Sequence, residues 1–112
     1  MIRVIVSYPN QAGARFDLDY YLTKHMPLVA AKIGGSMTGW AVDQGIGSGA
    51  PGAPPEFTMQ AHLTFVSLEA FQTAMATVGP EIMADIPNYT DIQPHIQVNK
   101  ILSEQPARAA GA

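Results

Sequence analysis

Alternation of apolar and polar residues predicts four strands in this chain. The pattern is clearest over residues 56–66, where every second side chain is apolar: Phe57, Met59, Ala61, Leu63 and Phe65. β-Branched residues favour a strand over residues 2–8, which stops at a Pro-Asn pair. Residues 37–46 and 90–102 also have the composition of extended segments.

Helical spacing over residues 18–33 predicts the first of two helices. One face of this helix collects the following side chains: Leu18, Tyr21, Leu22, His25, Leu28, Val29, Lys32 and Ile33. Asp17 is placed to cap the helix, and Phe16 can pack on Tyr21 as a hydrophobic staple. Gly34 and Gly35 are expected to end it.

A second helix is predicted to begin after Ser67 and to end at Gly79-Pro80, with residues 81–86 offering one more turn. The order of elements is then strand, helix, strand, repeated twice. This order is typical of the α+β, ferredoxin-like βαββαβ fold. We expect a four-stranded antiparallel sheet in the order 4-1-3-2, with both helices on one face.

The other face of this sheet needs a cover. It is predicted to present a mixture of neutral polar, charged and apolar side chains: Arg3, Ile5, Ser7, Gln60, His62, Thr64, His95 and Gln97. The charged fraction of the chain is only 13%, below the quarter or so that is typical of globular domains. Both observations favour a homodimer that packs its two open sheet faces together into a barrel.

His25 and Pro27 are unusual residues for the inner part of a helix. Pro27 lacks a backbone N–H and crowds the carbonyl of Thr23, and Met26 is pushed away from helical angles. We therefore expect a kink or broken turn at His25, with the imidazole on the apolar side. The alternative is a buried histidine that only serves packing.

Composition excludes several classes of function. Six Lys and Arg residues and a net charge of −3 argue against nucleic-acid binding. The absence of cysteine excludes disulfides, thiolate nucleophiles and cysteine-based metal sites. No apolar run is long enough to span a bilayer or to act as a signal peptide, so we expect a cytoplasmic protein. Residues 1–102 are predicted to form one domain, and residues 103–112 a disordered tail.

Metal and cofactor sites have little support. A site formed by His25, His62 and His95 would have to cross the sheet, and haem would be supported by a single histidine. The glycines of residues 45–55 lack the Lys-Ser/Thr end of a phosphate loop and form either a lid or a plain linker. We therefore predict no metal and no cofactor.

The candidate chemistry centres on His25 as general acid or base. Tyr21, one turn earlier on the same face, is positioned to orient the imidazole or to polarise a carbonyl oxygen, although it equally suits the staple. Trp40, Tyr89 and Tyr20 are candidate walls for a small hydrophobic molecule, with core packing the alternative for Trp40.

The segment FDLDYYLTKHMPL resembles the signature of the EthD family, which has an aromatic residue and Asp at the helix start, a Tyr pair and then His-x-Pro. The resemblance extends over residues 1–102. It implies a dimeric α+β barrel, a fold shared with cofactor-free isomerases, cyclases, monooxygenases and haem-containing relatives. Only His25, Tyr20, Tyr21 and Pro27 match motif positions.

Three hypotheses about function follow. The first is a cofactor-independent isomerase, cyclase or dehydratase that uses His25 on a hydrophobic, ring-containing metabolite. The alternatives are a non-catalytic binding protein of a degradation pathway and a cofactor-free monooxygenase.

Overall fold

The computed structural model describes residues 1–107 and contains four strands with helices between them. In chain order the elements are β1 (Ile2–Pro9), α1 (Leu18–Tyr20), a π-helical segment (Tyr21–His25), α2 (Met26–Ile33), a 3-10 turn (Gly34–Ser36), β2 (Met37–Gln44), β3 (Phe57–Phe65), α3 (Leu68–Asp85), a second 3-10 turn (Ile86–Asn88) and β4 (His95–Lys100). This is the predicted βαββαβ order, so the ferredoxin-like fold is confirmed.

The sheet has the order β2-β3-β1-β4 with every pair antiparallel, as predicted. Val4 lies opposite Leu63 and Val98, and these residues belong to the face that the helices cover. Ile5 lies opposite His62 and Gln97 on the other face. The core fills the space between sheet and helices, and includes the following buried residues: Ile2, Val4, Tyr8, Tyr21, Met26, Met59, Ala61, Leu63, Phe65, Tyr89 and Ile92.

The N-terminal capping of both helical regions follows from local sequence. The Asp17 carboxylate accepts the backbone N–H of Tyr20, and the rings of Phe16 and Tyr21 lie 5.1 Å apart. The Ser67 hydroxyl accepts the backbone N–H of Ala70 at the start of α3. These contacts confirm both predicted caps and the staple.

The kink or broken turn predicted at His25 is present as a π-helical turn over Tyr21–His25. The backbone N–H of Met26 donates to the carbonyl of Tyr21, five residues back, which widens the helix just before Pro27. The prediction that Met26 leaves helical angles is wrong, because its φ is −63° and its ψ is −41°. The wider turn makes room for the proline ring without a break in the chain's direction.

The π-turn also changes which residues face the core. The extra residue in the turn places Met26 inside, at 2% exposure, next to His25. Leu22, which regular helical spacing assigned to the buried face, is 44% exposed. The predicted apolar stripe is therefore wrong at Leu22, since that spacing holds only for an uninterrupted α-helix.

The predicted end of the second helix at Gly79-Pro80 is also wrong. Helix α3 continues through Pro80 to Asp85, so residues 81–85 add the extra turn that the sequence allowed. Gly79 eases the passage, because the clash that normally precedes a proline involves a Cβ that glycine lacks. The continued helix brings Asp85 to within hydrogen-bonding distance of His25.

The last strand is shorter than predicted, because it begins at His95 and not at residue 90. Thr90 instead forms a single bridge with Phe16. Residues 101–107 have no regular secondary structure, although the Glu104 carboxylate pairs with Arg3. The rest of the predicted tail, residues 108–112, lies outside the described residues. Within residues 1–107 no helix has the length and hydropathy needed to cross a membrane.

Candidate active site

A small apolar cavity lies between the sheet and the first helical region. Its volume is about 50 Å³. Its walls come from β1, β3 and β4, from the π-turn and α2, and from the end of α3 with the turn after it: Val6, Tyr8, Tyr21, His25, Met26, Val29, Ala61, Leu63, Met83, Ile86 and Ile96. We call this space the His25 cavity. His25 is the only one of these side chains that titrates near neutral pH.

His25 is paired with Asp85 at the edge of this cavity. Nδ1 of His25 lies 2.9 Å from Oδ2 of Asp85, and the two side chains are only 5% and 13% exposed. The π-turn directs the imidazole inward from one helix, and the last turn of α3 supplies the carboxylate. Within residues 1–107, Nε2 of His25 makes no hydrogen bond.

The electrostatics of the pair define its protonation state at neutral pH. Burial lowers the pKa of His25 below 6.5, although Asp85 opposes the shift. Burial of Asp85 alone would raise its pKa, but hydrogen bonds from Tyr20, His25 and Asn88 outweigh it and lower the pKa. A neutral imidazole beside an ionised carboxylate donates its Nδ1–H to Asp85 and keeps the lone pair on Nε2.

Asp85 is itself held by two further side chains. The Tyr20 hydroxyl donates to Oδ1 at 2.7 Å, and the Asn88 amide donates to the same oxygen at 2.9 Å. The guanidinium of Arg15 donates to the carbonyl of Pro87 at 2.7 Å and fixes the turn that follows Asp85. These hydrogen bonds fix the orientation of the carboxylate that contacts His25.

Aromatic rings surround the imidazole. The ring of Tyr21 stacks with that of His25 at 5.7 Å and an interplanar angle of 15°, and the ring of Tyr89 lies 4.6 Å away. The faces of aromatic rings attract cations. An imidazolium formed when His25 accepts a proton would therefore be stabilised by Tyr21 and Tyr89 as well as by Asp85.

The tyrosine hydroxyls provide hydrogen-bond donors beside the cavity. The hydroxyl oxygens of Tyr8 and Tyr89 are 2.6 Å apart. Burial raises the pKa of Tyr8, Tyr21 and Tyr89, so all three remain protonated near neutral pH. The Tyr8 hydroxyl also contacts that of Tyr21, so three hydroxyls share two contacts and one hydroxyl hydrogen remains to donate to a bound oxygen.

The predicted site residues divide into two groups. His25 and Tyr21 line the cavity, while Tyr20 holds Asp85 and Tyr89 packs against the imidazole. Trp40 lies elsewhere: it is 45% exposed on β2, an edge strand, and does not line the cavity. Trp40 pairs in register with Leu63, which lines the cavity, but Trp40 itself is not part of the lining, so its predicted wall role has no support at this cavity.

Asp85 and Tyr8 are the residues that sequence analysis missed. Asp85 lies beyond the predicted end of the second helix, so no helical pattern connected it with His25. Tyr8 was assigned only to the first strand. The sequence did contain a pattern that could have indicated Asp85. Asp85 is followed by Ile86-Pro87-Asn88, and a proline with an asparagine is typical of a helix end.

The structure gives no geometry for a metal in the described part of the chain. No group of three or more His, Cys, Asp or Glu side chains within residues 1–107 is arranged to hold an ion. His62 and His95 lie on the open face in register with Ile5 and Ser7, whereas His25 approaches the other face. The loop at residues 45–55 does not contribute to the His25 cavity either.

The chain is similar to known proteins both in sequence and in fold. The model of the EthD domain matches residues 13–93. The crystal structure of an EthD-like protein from Ralstonia eutropha JMP134 is 42% identical, with a TM-score of 0.89 over 96% of both chains. An EthD (ethyl tert-butyl ether D) family protein from Bacillus halodurans C-125 is 20% identical, with a TM-score of 0.71 over 91% of this chain and 99% of that one.

A more distant likeness concerns the fold alone. A dimeric ferredoxin-like protein of unknown function from Thermobifida fusca YX is 12% identical, with a TM-score of 0.56 over 89% of this chain and 90% of that one. No match was found among the curated proteins. The matched domain covers most of the chain, and so this protein is a member of the EthD family.

Proposed function

We propose that this protein is an enzyme that moves a proton on a hydrophobic, ring-containing metabolite, with His25 as the general base and acid. The observation that carries the proposal is the hydrogen bond between His25 and Asp85 at the wall of an apolar cavity. A buried imidazole with a fixed tautomer and an unpaired Nε2 is suited to proton abstraction near neutral pH.

The reaction class that fits is isomerisation or cyclisation through an enol. Nε2 of His25 takes a proton from a carbon next to a carbonyl. The electron pair of that C–H bond forms a C=C bond, and the π pair of the carbonyl moves onto its oxygen. A hydroxyl from Tyr8 or Tyr21 donates a hydrogen bond to this oxygen as its charge grows. In an isomerisation, the imidazolium returns the proton to the far carbon of a C=C bond conjugated with the enolate, and the carbonyl re-forms. In a cyclisation, the enolate carbon attacks a second carbonyl of the same molecule, and the imidazolium protonates the alkoxide that results. Either step regenerates the neutral imidazole.

The size of the cavity limits how a ring compound would bind. A volume of about 50 Å³ accepts one edge of a ring and not a whole ring. Met83 and Ile96, which are 43% and 48% exposed, line the cavity where it meets the surface. We place the reacting carbon inside the cavity and the rest of the molecule against these exposed side chains.

The predicted homodimer is retained as part of the proposal. Its support is the open sheet face, where Ile5 is flanked in register by His62 and Gln97. The dimeric ferredoxin-like protein from T. fusca is consistent with such an assembly. Because the open face is opposite the helices, a partner there would leave the His25 cavity accessible.

Proton exchange in deuterium oxide tests the function directly. The ring ketone β-tetralone has acidic protons next to its carbonyl, and NMR follows their replacement by deuterium. We expect the protein to accelerate this exchange and His25→Gln to lower the rate by about 10²-fold or more. His62→Gln, on the opposite face of the sheet, is the matched control and should leave the rate unchanged.

Binding is measured in the same samples, because the alternative is a protein that holds a ligand without converting it. Lost exchange with retained affinity for β-tetralone supports the enzyme. Equal exchange rates for the unaltered protein and His25→Gln contradict the proposal, as does a rate indistinguishable from buffer. If His25→Gln only lowers the melting temperature, the histidine is a packing residue.

A further inference from the structure

A second hollow adjoins the His25 cavity on the protein surface. Its volume is about 250 Å³, and we call it the outer recess. Met83 and Ile86 line both spaces, so these two side chains form the wall between them. Both come from the end of α3 and the turn that follows it, the segment that also carries Asp85.

Met83 is the movable part of this wall. Its unbranched thioether side chain is 43% exposed and can change rotamer at little cost. Ile86 is half-buried and β-branched, which restricts its rotation. A rotation of Met83 would join the two spaces, and their combined volume reaches the lower end of the range of roughly 300–1,000 Å³ found for small-molecule pockets.

The outer recess has a negatively charged hydrogen-bond acceptor. Oδ1 of Asp91 accepts the backbone N–H of Arg15 at 2.9 Å, whereas Oδ2 accepts no hydrogen bond from residues 1–107. The guanidinium of Arg15 makes no hydrogen bond to Asp91 within residues 1–107, because it donates to the carbonyls of Pro87 and Asn88. Gln93 is exposed and lines the same recess. The recess therefore offers an unused carboxylate oxygen to a hydroxyl donor, whereas an anion placed there would meet that oxygen as a like charge.

We infer that the outer recess binds the distal part of the substrate, and that this substrate is a neutral hydroxylated ring compound. The inference rests on the proposed function, since it assumes that the reacting edge enters the His25 cavity. The distal hydroxyl donates to Oδ2 of Asp91, and Met83 controls how far the ring extends between the two spaces. Asp91 is then a specificity residue outside the His25 cavity, and Met83 is a specificity residue at the boundary between the two spaces.

A pair of ring probes tests the inference on the full chain. β-Naphthol carries a hydroxyl where β-naphthoate carries a carboxylate, and amide-resolved NMR titration gives both the dissociation constant and the residues perturbed. We expect β-naphthol to bind about tenfold more tightly than β-naphthoate, with shifts centred on residues 83–93. The difference arises because the Asp91 carboxylate accepts from one probe and repels the other.

Two variants separate the roles of Met83 and Asp91. Met83→Trp fills the passage and should weaken both probes by about tenfold. Asp91→Asn keeps an oxygen for the Arg15 N–H but removes the charge, so the preference for β-naphthol should disappear. Leu68→Trp, at a residue 41% exposed on the same helix, and Asp19→Asn are the matched controls and should change neither constant.

Several results would overturn the inference. These are no binding of either probe at millimolar concentration, equal affinity of the two probes, shifts away from residues 83–93, or no effect of Met83→Trp and Asp91→Asn. The proposed function is judged separately by deuterium exchange in His25→Gln. Selective binding without exchange would contradict the enzyme alone, and exchange without selectivity would contradict the outer recess alone.

Discussion

Two His–Asp pairs with the same separation lie on opposite faces of one sheet. The nitrogen–oxygen distance is 2.9 Å both for His25 with Asp85 and for His62 with Asp43. The first pair is 5% and 13% exposed, and the second is 26% and 65% exposed. The residue types and the distance are the same, so the ring nitrogen involved, its alignment and the surroundings distinguish the candidate catalytic pair from the His–Asp contact on the other face.

The surroundings differ in what constrains the carboxylate. Asp85 is fixed by Tyr20 and Asn88, and its bond to His25 has hydrogen-bond alignment. Asp43 has no further side-chain partner in the described residues, and Nε2 of His62 approaches it without that alignment. A carboxylate held in hydrogen-bond alignment determines the tautomer of its histidine, whereas one without that alignment does not.

The largest contrast is expected from the carboxylate variants. Asp85→Asn should lower the exchange rate by about 10²-fold, because an amide that donates to Nδ1 favours the tautomer with its hydrogen on Nε2. Asp43→Asn should leave the rate unchanged and shift the free energy of unfolding by less than about 1 kcal/mol. Exchange kinetics, ¹⁵N NMR of the imidazoles and denaturant titration measure these effects. Equal rates in the two variants would remove the distinction between the pairs.

A pH profile sharpens the comparison with an effect of intermediate size. Because the pKa of His25 is lowered, the unfolded chain binds more protons than the folded protein in acid. The free energy of unfolding should therefore fall as the pH drops below 6.5. The exchange rate should fall in the same range, with a midpoint below 6.5, because a protonated His25 cannot act as the base. His25→Gln should weaken this dependence of the unfolding free energy on pH, and His62→Gln should not. A rate midpoint above 6.5 would contradict the buried environment of His25.

The smallest effect is expected from the residue that supports Asp85. Tyr20→Phe removes one hydrogen bond to the carboxylate but keeps the ring stacked on Tyr89 at 6.2 Å. Asn88 and His25 still hold Asp85, so the exchange rate should fall several-fold, less than in Asp85→Asn. The loss should appear in kcat with KM for β-tetralone unchanged. A loss as large as that of Asp85→Asn would show that Tyr20 touches the substrate.

Local sequence patterns predicted several residues of the candidate site. Where they failed, the reason can be traced to a particular feature of the fold. Helical spacing and the His-x-Pro segment identified His25 and Tyr21, and the turn distorted at His25 was expected from Pro27. The same spacing misassigned Leu22, because a π-turn interrupts the repeat. Trp40 was selected as a flat apolar side chain on the second strand, but it is 45% exposed and does not line the cavity.

The sequence by itself determined the order of strands and helices, their caps and the inward direction of His25, since these depend on residues close together in the chain. Only the tertiary structure decided that Asp85, 60 residues away, would meet that imidazole. The meeting requires α3 to continue through Pro80 and to pack beside the π-turn. The contact between Asp85 and His25 depends on how the helices pack on the sheet, and this packing cannot be predicted from a local sequence pattern.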